Sequence, residues 1–107
     1  ELRQASGLEG FQIFRMLDKE HQKEAMRKLK DGLQKPVRVD FIKANTITNK
    51  AISNMTGSPK MIKKGDMTPG MLVQRQAILE DTVELMTAVD KFNLDCSVSQ
   101  KIYERYH

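Results

Sequence analysis

The sequence contains no tryptophan, and aromatic residues make up only 6% of its 107 positions. A core without bulky aromatics must be built from aliphatic side chains, and the seven methionines are suited to fill gaps between them. Such a core favours packed helices. Hydrophobic residues at 39% and charged residues at 30% are typical of a globular domain and exclude a disordered chain.

Cysteine is equally scarce, because Cys96 is the single one in the chain. One cysteine excludes an internal disulfide framework, and no Cys-x-x-Cys pair or Cys/His cluster indicates a zinc site. We interpret Cys96 as an ordinary half-buried residue in a reducing compartment. Apolar runs of about 18 residues are absent and no charged-then-apolar leader opens the sequence, so we expect a cytoplasmic protein that does not enter a membrane.

The residue combinations that support catalysis are missing as well. His21 lies in a charged helical segment and His107 is the last residue, and neither has a nucleophile or a metal-ligand spacing beside it. Glu80, Asp81 and Glu84 cluster on one predicted helix, but the di-metal signature of helical bundles adds a histidine three residues after a glutamate. No glycine-rich phosphate loop is present. We therefore expect no enzyme activity, no metal, no cofactor and no small-molecule substrate.

The length and the charge limit the remaining options. A chain of 107 residues fits a single domain, residues 1–107, with one modest core. Because the sequence begins at Glu1 and not at Met, we expect an excised domain of a longer chain or a processed form. The net charge of +4 and the pI near 9.3 suit an acidic partner such as nucleic acid, and they equally suit simple solubility.

The strongest periodic signal spans residues 69–92. Thr68 is placed to cap the first turn of a helix, and Pro69 at the next position has no N–H to leave unsatisfied. Two adjacent apolar rows follow, formed by Leu72, Leu79, Val83 and Met86 and by Met71, Ile78, Thr82, Leu85, Val89 and Phe92. An apolar face this broad is typical of a helix that packs against several partners, so this segment is predicted to be the central helix.

The rest of the chain predicts a compact all-α bundle of about five helices in total. Helical periodicity or capping signals mark segments 8–17, 20–33, 41–55, 60–64 and 97–106. Val37 to Val39 alternates like a short strand, which would resemble ribbon-helix-helix dimers, but Pro36 also fits the first residue of a helix. We favour the helix, because a lone strand has no second strand in this sequence to pair with.

The segment 49–66 resembles the generic helix-turn-helix DNA-binding unit. Gly57 supplies the glycine of the turn, Ser53 is an acceptable small residue four positions earlier, and a lysine-rich segment follows the turn. The unit usually carries apolar residues where this sequence has Ser58, Lys63 and Asp66. The resemblance implies DNA binding through a short second helix.

Two functions follow from these features. The first is a non-catalytic nucleic-acid-binding or regulatory domain that contacts phosphates through this corner, with candidate residues Lys50, Lys60, Lys63, Lys64 and Asn54. The alternative is a protein-interaction or oligomerisation module, with a protein partner or a second copy meeting Phe11, Phe14, Met71, Ile78 and Leu85. Exposed Met71, Ile78 and Leu85 would favour the interaction module, whereas their burial together with lysines on one face would favour nucleic acid.

Overall fold

The computed structural model describes residues 7–107, and for residues 8, 9 and 11 it describes the backbone alone. In this part of the chain the helices are α1 (Gly7–Gly32), α2 (Arg38–Met55), α3 (Pro69–Phe92) and α4 (Val98–Arg105). A 3-10 turn, Lys64–Asp66, lies between α2 and α3. No strand occurs in residues 7–107, so the all-α prediction is confirmed.

The number of helices differs from the prediction of about five, because four α-helices form in the described residues. Segments 8–17 and 20–33 belong to one continuous helix, α1. By its position between the two segments, Asp18 is suited in sequence to cap a new helix. Its carboxylate instead accepts a hydrogen bond from Gln76 Nε2 at 2.9 Å and lies 3.0 Å from Lys64 Nζ, so it bonds to distant residues and not to its own backbone.

The prediction of a short basic helix at residues 60–64 is wrong. After Gly57 the chain runs without helical structure to Lys63, and only the 3-10 turn Lys64–Asp66 follows. The backbone N–H of Ile62 donates to Ser53 Oγ at 2.7 Å, a bond to α2 in place of one within a helical turn. The second helix of the helix-turn-helix unit is therefore not formed.

The segment after Pro36 forms no strand, as we predicted, but α2 begins at Arg38, so Pro36 is not the first residue of the helix. Val37 is extended and directly precedes α2, and its N–H donates to the Asp40 carboxylate at 3.0 Å. This bond satisfies one of the backbone donors that a helix N-terminus leaves free. Asp40 thus stabilises the start of α2 from inside its first turn.

The central position of α3 agrees with its sequence pattern. Thr68 Oγ1 accepts a hydrogen bond from the Met71 N–H at 3.2 Å, and the helix ends where Asn93 adopts a left-handed conformation with φ 52°. Helix α3 packs against each of the other three helices. Its fully buried apolar side chains are Leu72, Ile78 and Leu79, which join the core formed mainly by Leu29, Ala44, Ala51, Ile52, Met67 and Ile102.

None of the helices among residues 7–107 is long and apolar enough to cross a membrane.

Candidate nucleic-acid interface

Residues 41–65, which cover most of helix α2 and the loop that follows it, include no acidic residue. Between Asp40 and Asp66 the sequence has no aspartate or glutamate, and it has five lysines, which are Lys43, Lys50, Lys60, Lys63 and Lys64. Other basic regions of the chain alternate cations with carboxylates, as α1 does at Lys23, Glu24 and Arg27. The positive charge of this segment is therefore not neutralised by its own sequence neighbours.

The solvent-facing side of α2 carries Lys43, Thr46, Lys50 and Asn54, all of them exposed. Their spacings of three and four residues place them along one face of the helix. Lys43 and Lys50 are seven residues apart, which corresponds to roughly 10 Å along the helix axis. We call Lys43, Thr46, Lys50 and Asn54, together with Lys60 and Lys63 of the following loop, the acid-free face. The name refers to the sequence between Asp40 and Asp66, because in space Lys43 lines a cavity together with Asp40 and Asp90.

The four lysines of the acid-free face have no carboxylate partner in the part of the chain that the structure describes. Lys43, Lys50, Lys60 and Lys63 are exposed, and among the described residues none of them forms an ion pair. The ammonium group of Lys50 lies 5.6 Å from the centroid of the Tyr103 ring. Burial raises the pKa of that tyrosine, so it stays neutral and leaves the lysine charge uncompensated.

Lys64 differs from the other candidate lysines. Its ammonium group lies 3.0 Å from Asp18 Oδ2, and the Asp18 side chain is only 2% exposed. A buried carboxylate needs such a partner, because an unpaired charge in the interior is strongly unfavourable. The charge of Lys64 is thus already matched within the domain, and we exclude this residue from the acid-free face.

The loop with Lys60 and Lys63 is attached to both neighbouring helices. On the α2 side, Ser53 Oγ accepts the Ile62 N–H at 2.7 Å and donates to the Asn49 carbonyl at 2.9 Å. On the α1 side, the Arg15 guanidinium donates to the carbonyls of Gly65 at 3.0 Å and Met67 at 3.2 Å. The backbone beside the two exposed lysines is therefore held in a defined conformation.

A buried polar network lies behind this face and was not predicted. The Arg75 side chain is 2% exposed, and its guanidinium donates to Asn49 Oδ1 at 2.7 Å, Gln22 Oε1 at 2.9 Å and Asn45 Oδ1 at 2.8 Å. Burial lowers the pKa of Arg75, and the charge of nearby Asp18 opposes that effect. The network joins α1, α2 and α3 through one side chain.

One feature of the sequence points to that network. Arg75 follows Leu72 by three residues and precedes Leu79 by four, so it lies on the same helical row as two buried leucines. By residue type, Asn45 and Asn49 on α2 are also candidates for hydrogen bonds to bases. In the structure their side-chain oxygens face the guanidinium, and Asn45 Nδ2 donates to the Phe41 carbonyl at 2.8 Å.

The residues proposed for a protein interface are spread over two environments. Ile78 is completely buried in the domain's own core, and Met71 and Leu85 are half-buried against it. Phe14 is also half-buried, whereas the side chain of Phe11 lies outside the described residues. The predicted row on α3 is therefore covered largely by this chain itself.

A different apolar strip is exposed on α1. Ile13, Met16 and Leu17 are 42%, 60% and 62% exposed, and their spacing places them side by side on one face. Neighbouring Arg15 and Asp18 point the other way, toward the loop before α3. The apolar periodicity of this segment predicted a helix correctly. It did not show which of the apolar residues are buried and which are exposed.

Two acidic residues of α3 are bound to groups outside that helix. Glu80 Oε2 lies 3.0 Å from His21 Nε2, and Asp81 accepts hydrogen bonds from Arg105 and Tyr106. Among residues 7–107 no group of three or more histidines, cysteines and acids is arranged to hold a metal ion.

No family model, curated protein or solved structure matches this chain.

Proposed function

We propose that this domain is a non-catalytic nucleic-acid-binding or regulatory module whose acid-free face contacts phosphate groups. The observation that carries the proposal is the set of four exposed lysines, Lys43, Lys50, Lys60 and Lys63, without an ion-pair partner among the described residues. Lysine ammonium groups bind phosphates mainly through charge, and that binding releases counterions from the nucleic acid. The role needs neither a metal nor a catalytic side chain.

The neutral residues of the same face support backbone contact in preference to sequence reading. Thr46 and Asn54 are exposed beside the lysines, and hydroxyl and amide groups commonly donate to phosphate oxygens. Arginine, asparagine and glutamine make the bidentate bonds that distinguish bases, and Asn54 is the only such side chain on the acid-free face. We therefore expect binding with little sequence specificity.

The test is a binding titration with a labelled DNA duplex and its RNA counterpart. The wild type is compared with a Lys43, Lys50, Lys60 and Lys63 to Gln variant, and with a control in which Lys19, Lys23, Lys30 and Lys91 become Gln. Both variants lose four positive charges. We expect the first to lose most of its affinity and the control to lose much less, because only the first removes the clustered phosphate contacts. Equal losses would contradict the proposal.

A second candidate function is protein interaction, which the exposed strip Ile13, Met16 and Leu17 favours. Adjacent large apolar side chains on a surface commonly mark a contact site for another protein or a second copy of the same chain. Sedimentation of the wild type and a Leu17→Glu variant checks the second-copy form of this idea. A wild-type dimer that the variant dissociates would support it, and monomers in both would contradict it.

A further inference from the structure

The acid-free face presents its lysines from two rigid supports. Lys43 and Lys50 project from one regular helix, which fixes their separation at roughly 10 Å along the axis. Lys60 and Lys63 lie on a loop fastened to α2 by the Ser53–Ile62 hydrogen bond and to α1 by Arg15. The C-terminus of α2 is followed by a further fixed turn. In this turn the Ser58 N–H donates to the Ser53 carbonyl at 2.9 Å, and Gly57 has φ 71°.

Ser53 is central to this arrangement. Its side chain is 2% exposed, and its hydroxyl accepts from the loop while it donates to the Asn49 carbonyl. A hydroxyl with both bonds made has one favoured orientation, so it holds the Ile62 backbone at a defined place beside α2. Ser53 therefore holds the backbone of the loop that carries Lys60 and Lys63 in place beside α2, which carries Lys43 and Lys50, without carrying any charge itself.

The same face has no open aromatic surface on which bases can stack. The Tyr103 ring lies beside it, but that ring is half-buried and has the Lys50 ammonium group over it. Phe41 of α2 is half-buried against the core. Proteins that bind single strands without sequence preference generally combine a cationic groove with exposed aromatic side chains that stack on successive bases.

We propose that the acid-free face selects double-stranded over single-stranded nucleic acid, and that Ser53 is the positioning residue for this selectivity. The inference rests on the proposed function and names its ligand class. A duplex holds its phosphates in a rigid array, so cations with fixed spacing meet it at little entropic cost. A single strand adapts to any arrangement of lysines, gains nothing from fixed spacing and finds no stacking surface here.

The experiment measures the ratio of duplex to single-strand affinity, using a labelled DNA duplex and one of its strands at the same salt concentration. The proteins are the wild type, Ser53→Ala and Thr48→Ala. Thr48 is a matched control, because its buried hydroxyl donates to the Ala44 carbonyl at 2.8 Å within α2 and does not touch the loop. We expect the wild type to bind the duplex about tenfold more tightly, Thr48→Ala to keep that ratio, and Ser53→Ala to reduce it to about one, through weaker duplex binding alone.

A second variant keeps the test decisive if Ser53→Ala fails to fold. Pro59 is exposed in the same loop, and Pro59→Gly loosens that loop without removing a charge or a buried contact. It is expected to lower the ratio in the same direction. Equal wild-type affinity for duplex and single strand, or an unchanged ratio in the loop variants, would overturn the inference while leaving phosphate binding intact. Absence of any wild-type binding would instead overturn the proposed function and this inference with it.

Discussion

Arg75 is the residue whose surroundings depart most from the usual behaviour of its type, because arginine is seldom fully buried and rarely without a carboxylate partner there. Here three amide oxygens, from Gln22, Asn45 and Asn49, accept its hydrogen bonds. Among the described residues no buried side-chain nitrogen or oxygen lacks a partner, so the hydrogen-bonding capacity of this buried group is met. The network fixes α1, α2 and α3 relative to one another behind the acid-free face.

Replacing Arg75 by lysine should destabilise the domain although the charge is kept. A lysine cannot reach three acceptors with the geometry of a planar guanidinium, so amide oxygens are left buried without donors. We expect a loss of about 2–4 kcal/mol in the free energy of unfolding, measured by urea denaturation. Arg105→Lys, at an exposed ion pair, serves as the control and should leave stability nearly unchanged, because water screens that pair. Equal effects of the two substitutions would contradict the role assigned to Arg75.

The two tyrosines should make stability depend on pH in the alkaline range. Burial raises the pKa of Tyr103, and burial together with the hydrogen bond to Asp81 raises the pKa of Tyr106. The folded state therefore holds these phenolic protons more tightly than the unfolded chain. Their contribution is fully present below about pH 10 and is lost as the pH rises through the folded-state pKa values.

Because the chain has no tryptophan and only these two tyrosines, phenol absorbance follows both groups directly. We expect ionisation above about pH 10 in the folded protein and a smaller alkaline loss of stability in a Tyr103→Phe variant. If the tyrosines of the folded protein ionise at the same pH as in the denatured chain, or at a lower pH, burial does not protect the phenols.

At the scale of elements, local signals located the helix ends better than the loops. The Thr68–Pro69 start of α3 and the Gly57 turn after α2 follow from capping chemistry that acts within a few residues. The segment 60–64 has the same kind of signal in Ser58 and Pro59, yet it is not helical. Its backbone bonds to Ser53, and the adjoining Lys64 pairs with Asp18, which is 46 positions away in the sequence. Contacts of such long separation are invisible to a local pattern.

The stability of the domain should be more sensitive to substitution of Gly57 than to substitution of Gly65. Gly57 has φ 71°, a conformation that costs a residue with a Cβ atom roughly 1–2 kcal/mol, although no neighbouring atom crowds that position. Gly65 also has open space around it but no positive φ. We expect Gly57→Ala to lower the free energy of unfolding by about 1 kcal/mol and Gly65→Ala to leave it nearly unchanged. Equal values for the two variants would contradict the assigned turn geometry.

At the scale of the whole molecule, composition and periodicity were sufficient to predict the all-α class and the central position of α3. The location of the candidate site was only partly predictable. Lys50, Lys60 and Lys63 lie on the acid-free face, Lys64 is taken up by Asp18, and Lys43 was missed, although its seven-residue spacing to Lys50 and the lack of acids between Asp40 and Asp66 are both visible in the sequence. The sequence alone could not distinguish the exposed strip on α1 from the buried positions of that helix, because both consist of apolar residues.

The most direct test of phosphate binding by the acid-free face is the salt dependence of duplex affinity. If Lys43, Lys50, Lys60 and Lys63 each neutralise one phosphate, the logarithm of the binding constant falls against the logarithm of salt concentration with a slope of about −3.5. A Lys60 and Lys63 to Gln variant removes two contacts, and its slope is expected to be about −2. A wild type that does not bind at low salt, or a variant with the wild-type slope, would contradict the account.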